Sequence, residues 1–280
     1  KKEREMEEII RDAHVDKLFS VKDKVVLIVG AGGLGEHIGH GMAENGAKVV
    51  FTNTTLKKAE GVQARFREDG LDCDIFQLNV TDNDQIRQVV DTIVEKHGRI
   101  DVLINTAAIC AHSEPENYDP DVVRRVLDVN TNGTIFVARE VGKVMIRQHY
   151  GKIINFGSIA GGYCHTYLSM PYEASKAAVH QFTRSLAVTW AKHNINVNCI
   201  SPTWVYTPML DGLQEDVYDD LKKQHPGGRL AEVNDFMGIA MFLASDASSY
   251  VTGQVIYVDG GWTSGKPVII PEEERCVTHK

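Results

Sequence analysis

From Lys24 onward the chain alternates two textures. Short runs that are apolar almost throughout stand at 25–29 (VVLIV), 47–52 (AKVVFT), 73–78 (CDIFQL), 100–105 (IDVLIN), 151–156 (GKIINF), 195–200 (INVNCI) and 254–258 (QVIYV). Between them lie longer segments, at about 34–45, 55–69, 83–97, 119–149, 172–193 and 232–244, whose apolar residues recur every three to four positions. A strand without apolar–polar alternation is one buried on both faces, as in a parallel sheet. Strands alternating with helices predict a doubly wound α/β architecture: seven strands, mostly parallel, helices on both faces, right-handed crossovers.

The pattern also sets boundaries. Residues 1–23 are highly charged, with Met6, Ile9, Ile10, Ala13 and Leu18 at loosely helical spacing, and read as an amphipathic extension. Residues 24–262 form one continuous domain without internal repeats or a flexible linker, and 263–280 form a tail. Residues 203–230 lack strand character and hold Pro208, Pro226, Gly227 and Gly228. So long an excursion reads as a lid over a site.

Composition narrows the function classes. Apolar residues make up 43% and charged residues 24% of 280, enough to bury a large core without disulfides or a structural metal. The net charge of −8 argues against nucleic-acid binding. Five cysteines, an odd number with no C-x-x-C pair and no zinc-ligand spacing, read as reduced thiols in a cytoplasmic protein without a metal. No apolar run approaches the roughly 18 residues of a membrane span, and the first residues lack the apolar core of a signal peptide.

Chemistry enters at the end of the first strand. VVLIV runs into Gly30-Ala31-Gly32-Gly33-Leu34-Gly35 and then a helical pattern, which satisfies G-x-G-x-x-G in its strand–turn–helix setting. Glycines let the backbone approach a pyrophosphate, and the helix N-terminus offers N–H groups to it. An acid at the end of the second strand would accept hydrogen bonds from an adenosine ribose. Here stand Thr52, Asn53, Thr54 and Thr55, followed by Lys57 and Lys58. These residues tolerate a 2′-phosphate, so NADP is favoured over NAD.

Tyr172 and Lys176 are spaced to share one helix face. A phenol titrates near 10, and a nearby ammonium lowers that value toward a usable acid/base. Ser158 follows the strand GKIINF and Gly157, at a strand end that faces the ligand crevice of an open α/β sheet. Asn130 interrupts a long helical pattern, where asparagine is disfavoured.

Taken together, these elements resemble the short-chain dehydrogenase/reductase family over Lys24 to Trp262. The resemblance rests on the glycine turn, Asn105-Thr106-Ala107-Ala108, Asn130, Ser158, Tyr172 with Lys176, the run from Ile200 to Met209, and the closing segment 242–262. It implies a Rossmann-like fold and hydride transfer between a nicotinamide cofactor and a secondary alcohol or ketone. It implies that Tyr172 is the acid/base, that Lys176 lowers its pKa and holds the nicotinamide ribose, that Ser158 positions the carbonyl, and that Asn130 supports a proton relay. Cofactor contacts would come from Gly30, Gly33, Leu34, Gly35, Asn53, Thr54, Asn79, Val80, Asn105, Ala107, Tyr172, Lys176, Pro202, Val205 and Thr207. His165, Tyr167 and Trp204 would touch substrate, among loops that also carry His112, Tyr163, Met170, Tyr206, Met209, Leu210 and Tyr218.

The chain departs from the family in several places. Val29 replaces a threonine and the turn is one residue shorter; Thr203 replaces the glycine of the usual Pro-Gly; Asn79 replaces an acid beside the adenine. A non-catalytic dinucleotide sensor or scaffold is the alternative reading, and the retention of Tyr172 and Lys176 favours the enzyme. A polyol, a cyclic ketone or an acyl chain would suit aromatic residues with polar tips. Resemblance further implies a homo-oligomer, with a tetramer favoured.

Overall fold

The computed structural model describes residues 14–164, 166, 168–207 and 214–265. The elements in chain order are α1 (Val15–Leu18), β1 (Val25–Val29), α2 (Leu34–Glu44), β2 (Lys48–Asn53), α3 (Leu56–Glu68), β3 (Cys73–Gln77), α4 (Asn83–His97) and β4 (Val102–Asn105). There follow α5 (Pro120–Leu127), α6 (Thr134–Gln148), β5 (Gly151–Phe156), α7 (Met170–Trp190), β6 (Ile195–Pro202), α8 (Glu215–Lys223), α9 (Met237–Ala244) and β7 (Val255–Val258).

The seven strands form one sheet in the order β3-β2-β1-β4-β5-β6-β7. Every neighbouring pair is parallel, so the sheet is wholly rather than mostly parallel. The central strands β1, β4, β5 and β6 are buried at every position. Even there the pleat sorts the side chains. Val26 and Ile28 pack with Ile38, Met42, Phe51 and Phe236 on one face. Val25, Leu27 and Val29 pack with Ile86, Leu103, Val137 and Ile153 on the other. Two cores therefore sandwich the sheet, which is why the strands read as continuous apolar runs. The edge strand β7 is half-buried along its length, because an edge is covered less completely.

Two helical segments differ from the periodic pattern. The stretch 119–149 divides into α5 and α6 around a wide π turn over Asp128–Gly133. The stretch 232–244 begins as a 3₁₀ turn, Val233–Phe236, before α9. Of the amphipathic extension, only α1 and its flanks fall within the described residues, where Phe19 lies 6.1 Å from the ring of Phe242. The tail 266–280 and residues 208–213 lie outside them.

Strand order reverses between β1 and β4. At such a switch point the connecting loops part, and a crevice opens beyond the carboxyl ends of the strands. The glycine turn, Asn105, Ser158 and the segment after Pro202 all leave the sheet at that edge.

Candidate active site

The glycine turn is built by close approach. Gly30 has φ +103°, and a Cβ there would lie 2.7 Å from the backbone nitrogen of Ala107. A Cβ on Gly35 would meet Gly30 O and, at 2.7 Å, Thr106 Oγ1. Ala107 earns its place through its backbone, whose N–H donates to Val29 O at 2.9 Å. The outer side of the turn is open: a Cβ on Gly32 would meet nothing within 4 Å, and one on Gly33 only the Thr207 side chain, at 3.6 Å. The helix α2 starts beneath it without a side-chain cap. Uncapped N–H groups, an absence of side chains and open space on one face fit a pyrophosphate. Leu34 is half-buried in the first helical turn.

Around this turn the other expected cofactor residues take distinct positions. Asn53 donates Nδ2 to Ala31 O at 2.8 Å, so it braces the turn, while Thr54 is exposed. Asn79 accepts from Thr81 N and Thr81 Oγ1. Val80 is buried and would be 2.6 Å from a Cβ on Gly133, so the loop after β3 rests on the π turn. Asn105 is buried and donates to Asn155 Oδ1 at 2.9 Å, and Asn155 donates to Thr183 Oγ1 at 3.0 Å. Its side chain therefore ties β4 to β5 and α7. Pro202 is buried, and Val205 and Thr207 are half-buried beyond it.

The long helix α7 carries Tyr172, Lys176 and His180, four residues apart on one face. Ser158 follows β5, and its hydroxyl lies near enough to Tyr172 to draw the phenol's pKa down. It also accepts from Ala160 N at 3.2 Å. Lys176 Nζ donates to Phe156 O at 2.7 Å and lies 5.5 Å from the centroid of the Tyr172 ring. Burial pushes the Tyr172 phenol up to about 12, against a smaller downward pull from Ser158. Burial likewise brings the Lys176 ammonium down to about 8. The ammonium is held at a backbone carbonyl, and desolvation of the phenol dominates.

Asn130 sits in the π turn, where the widened helix aims its side chain inward. Its Oδ1 accepts from Ile109 N at 2.8 Å; its Nδ2 donates to Ile109 O at 2.9 Å and to Ser175 Oγ at 3.0 Å. Ser175 Oγ in turn donates to Tyr172 O at 2.6 Å. Asn130 thus couples the loop after β4 to the helix that bears Tyr172. A π turn commonly marks a functional position, and the helix-disfavoured asparagine was its sequence signal.

No local pattern in the chain marks His180. It is buried, and its Nε2 lies 2.7 Å from Ser201 Oγ. Its ring also packs against Gly161, in the turn that follows Ser158. Burial brings its pKa down to about 4, so it is neutral. Gly157 and Gly161 are required by this packing: a Cβ would stand 2.5 Å and 2.6 Å from the ring, respectively.

Of the expected substrate residues, His165 and Tyr167 lie outside the described residues, as do Met209 and Leu210. Trp204 is half-buried after β6. Tyr163 is exposed and packs edge-on against Tyr257 and Trp262, and Tyr206 packs against Tyr218 at 6.0 Å.

A family described as enoyl-(acyl carrier protein) reductase matches residues 30–263. Gluconate 5-dehydrogenase of Gluconobacter oxydans is 34% identical over 254 residues, covering 90% of this chain and 98% of that protein. The 3-oxoacyl-(acyl-carrier-protein) reductase of Thermotoga maritima is 37% identical over 254 residues, covering 86% and 98%. The chain belongs to the short-chain dehydrogenase/reductase family. A crystal structure of gluconate 5-dehydrogenase from Burkholderia cenocepacia, in complex with NADP and tartrate, superposes with a TM-score of 0.86 at 34% identity, covering 90% of this chain and all of that one. The Rossmann-like fold is that of the family, and the chain is an NAD(P)-dependent oxidoreductase acting on a secondary alcohol or ketone. Among the described residues no helix is long and apolar enough to cross a membrane.

Proposed function

We propose that Tyr172 is the acid/base of this enzyme, with Ser158 orienting the substrate oxygen, Lys176 holding the nicotinamide ribose and Asn130 fixing the helix that bears the tyrosine. The observation that carries the reading is the placement of Ser158 beside Tyr172, near enough to pull on the phenol, with the buried Lys176 over the tyrosine ring, at the crevice edge of the sheet. When bound, the nicotinamide supplies or accepts the hydride. Gly30, Gly33, Leu34 and Gly35 would hold the pyrophosphate, Asn79, Val80, Asn105 and Ala107 the adenosine side, and Pro202, Val205 and Thr207 the carboxamide. In the reducing direction Tyr172 Oη gives its proton to the nascent alkoxide, while Ser158 Oγ donates a hydrogen bond to the same oxygen. A phenol held near 12 keeps its proton across the neutral range, which suits it as the acid of ketone reduction.

We further propose NADP as the preferred cofactor. Thr54, Thr55, Lys57 and Lys58 are exposed beside the end of β2, without an acid among them. The substrate class we propose is a small polyhydroxylated ketone or alcohol. Support comes from the polar-tipped aromatics at the crevice and from relatives named for gluconate, keto-gluconate and glycerol. The excursion 203–230 is proposed as the cover of this site, the assembly as a homotetramer, and the compartment as the cytoplasm. The test is turnover of gluconate, 5-keto-gluconate, glycerol and a 3-oxoacyl thioester with each dinucleotide. Selective turnover of the polyols or sugar acids with NADP(H) is expected. Selective reduction of the thioester would move the substrate to the acyl class, and undiminished activity in Tyr172→Phe would overturn the mechanism.

A further inference from the structure

Thr203 stands where the family's usual pattern has glycine, directly after Pro202 and at the head of the segment assigned above to the cofactor. Its side chain is buried, and Oγ1 lies 2.8 Å from Nε2 of His225, which is also buried. The other ring nitrogen, Nδ1, lies 2.7 Å from Leu221 O, in the last turns of α8. A carbonyl oxygen only accepts, so Nδ1 carries the proton and Nε2 accepts from the threonine hydroxyl. The polarity of the pair is thus fixed by the helix.

The bond lies beside paired backbone. Val205 pairs with Ala231 in an isolated bridge, Tyr206 N–H donates to Ala231 O at 2.7 Å, and Ala231 N–H donates to Trp204 O at 3.0 Å. These contacts form a neck, and Thr203–His225 joins the residue just before it to one in the loop it closes. Beyond the neck, Thr207 reaches the glycine turn, 3.6 Å from where a Gly33 Cβ would be. The segment Pro202–Thr207 is therefore held at one end by β6, at the other against the glycine turn, and between them by the neck and the histidine.

We infer that the Thr203–His225 hydrogen bond is a positioning brace. It sets the backbone of Trp204–Thr207 beside the glycine turn and so raises the affinity for the dinucleotide. Without a side chain at residue 203 the segment loses its hydrogen-bonded link toward α8 and keeps only the Tyr206–Tyr218 ring contact among those described. The brace rests on the cofactor assignment proposed above. Thr203 and His225 touch the segment rather than the reacting atoms.

The test uses Thr203→Val, which keeps the shape and removes the hydroxyl, Thr203→Ala should the valine variant fail to fold, and Thr203→Ser, which keeps the hydroxyl. Two readouts are independent of turnover: hydrogen exchange of the Tyr206 and Ala231 amides in the ligand-free protein, and the dissociation constants of NADPH and NADH by calorimetry. In Thr203→Val both amides are expected to exchange faster, and the dissociation constant of the preferred dinucleotide to rise about 3- to 10-fold, the worth of one net hydrogen bond. Thr203→Ser is expected to restore both, and His225→Gln combined with Thr203→Val to add little to either change. Wild-type affinity in Thr203→Val would overturn the brace while leaving the functional reading intact. Failure of the unmodified protein to bind either dinucleotide would overturn the functional reading and the brace with it.

Discussion

Lys176 Nζ lies over the ring of Tyr172, 5.5 Å from its centroid, while donating its hydrogen bond to Phe156 O at 2.7 Å. In the ligand-free protein the phenol is governed by burial, which places it near 12. The pH dependence of kcat/KM, which reports the free enzyme, should then show alcohol oxidation rising through the alkaline range and ketone reduction flat from pH 6 to 9. Tyr172→Phe should lower kcat by roughly 10²- to 10⁴-fold in both directions with little change in dinucleotide affinity. Steady-state kinetics and calorimetry check both; an oxidation profile already flat at pH 7 would place the phenol far lower.

Lys176→Met should abolish activity yet leave the fold as stable or more so near neutrality. The ammonium is buried, with its pKa brought down to about 8 from 10.5, so keeping it charged opposes folding. Between pH 8 and 10.5 the unfolded chain binds the proton and the folded one does not, so wild-type stability gains with rising pH in that window. Against the methionine variant the gain should be on the order of 3 kcal/mol. Denaturant melts of both proteins at pH 7.5 and 10 measure it.

His180 predicts acid sensitivity. Its folded pKa is near 4 against an ordinary 6.5, so the neutral ring contributes fully above 6.5 and the contribution is lost as pH falls toward 4. The loss is roughly 3 kcal/mol. His180→Leu should flatten this pH dependence. It should also lower activity, because Ser201 and the turn after Ser158 lose their partner. Thermal melts across pH 4 to 7 give the comparison, and equal slopes in both proteins would contradict it.

The glycine turn separates fold from ligand binding. Gly35→Ala should destabilise the protein by about 3 kcal/mol or more, since its Cβ meets backbone and the Thr106 side chain. Gly32→Ala has open space, so its melting temperature should stay within a few degrees of wild type. Its dinucleotide affinity should fall, because the added methyl occupies the face where a pyrophosphate would approach. A Gly32→Ala protein that binds NADPH as well as wild type would move the pyrophosphate elsewhere.

At the end of β2, Thr54→Asp should weaken NADPH binding at least tenfold and spare NADH. A carboxylate there repels a 2′-phosphate and accepts from a ribose hydroxyl. Titration of the two dinucleotides against both proteins decides it; equal weakening would show that residue 54 does not face the adenosine ribose.

Sequence and structure divide this protein in a definite way. The runs at 25–29, 102–105 and 151–156 announced buried parallel strands because a residue covered on both faces must be apolar whichever way it points. The glycine turn was legible for the same local reason: only glycine fits where Ala107 crosses Gly30. Asn130 was legible as a misfit in a helix, and the π turn shows what it disturbs. The two buried histidines were not legible. His180 and His225 gain meaning only from Ser201 and Gly161, and from Thr203 and Leu221, and the hydroxyls among these come from 21 and 22 residues away in the chain. Nor did helical spacing reveal that Lys176, over the Tyr172 ring, donates to Phe156 O, 20 residues upstream. Local pattern determined the strands, the turn and the order of the loops along one edge of the sheet. Which charges are desolvated, and which groups they bond, was decided by tertiary packing, since burial and hydrogen-bond partners depend on elements brought together from across the chain.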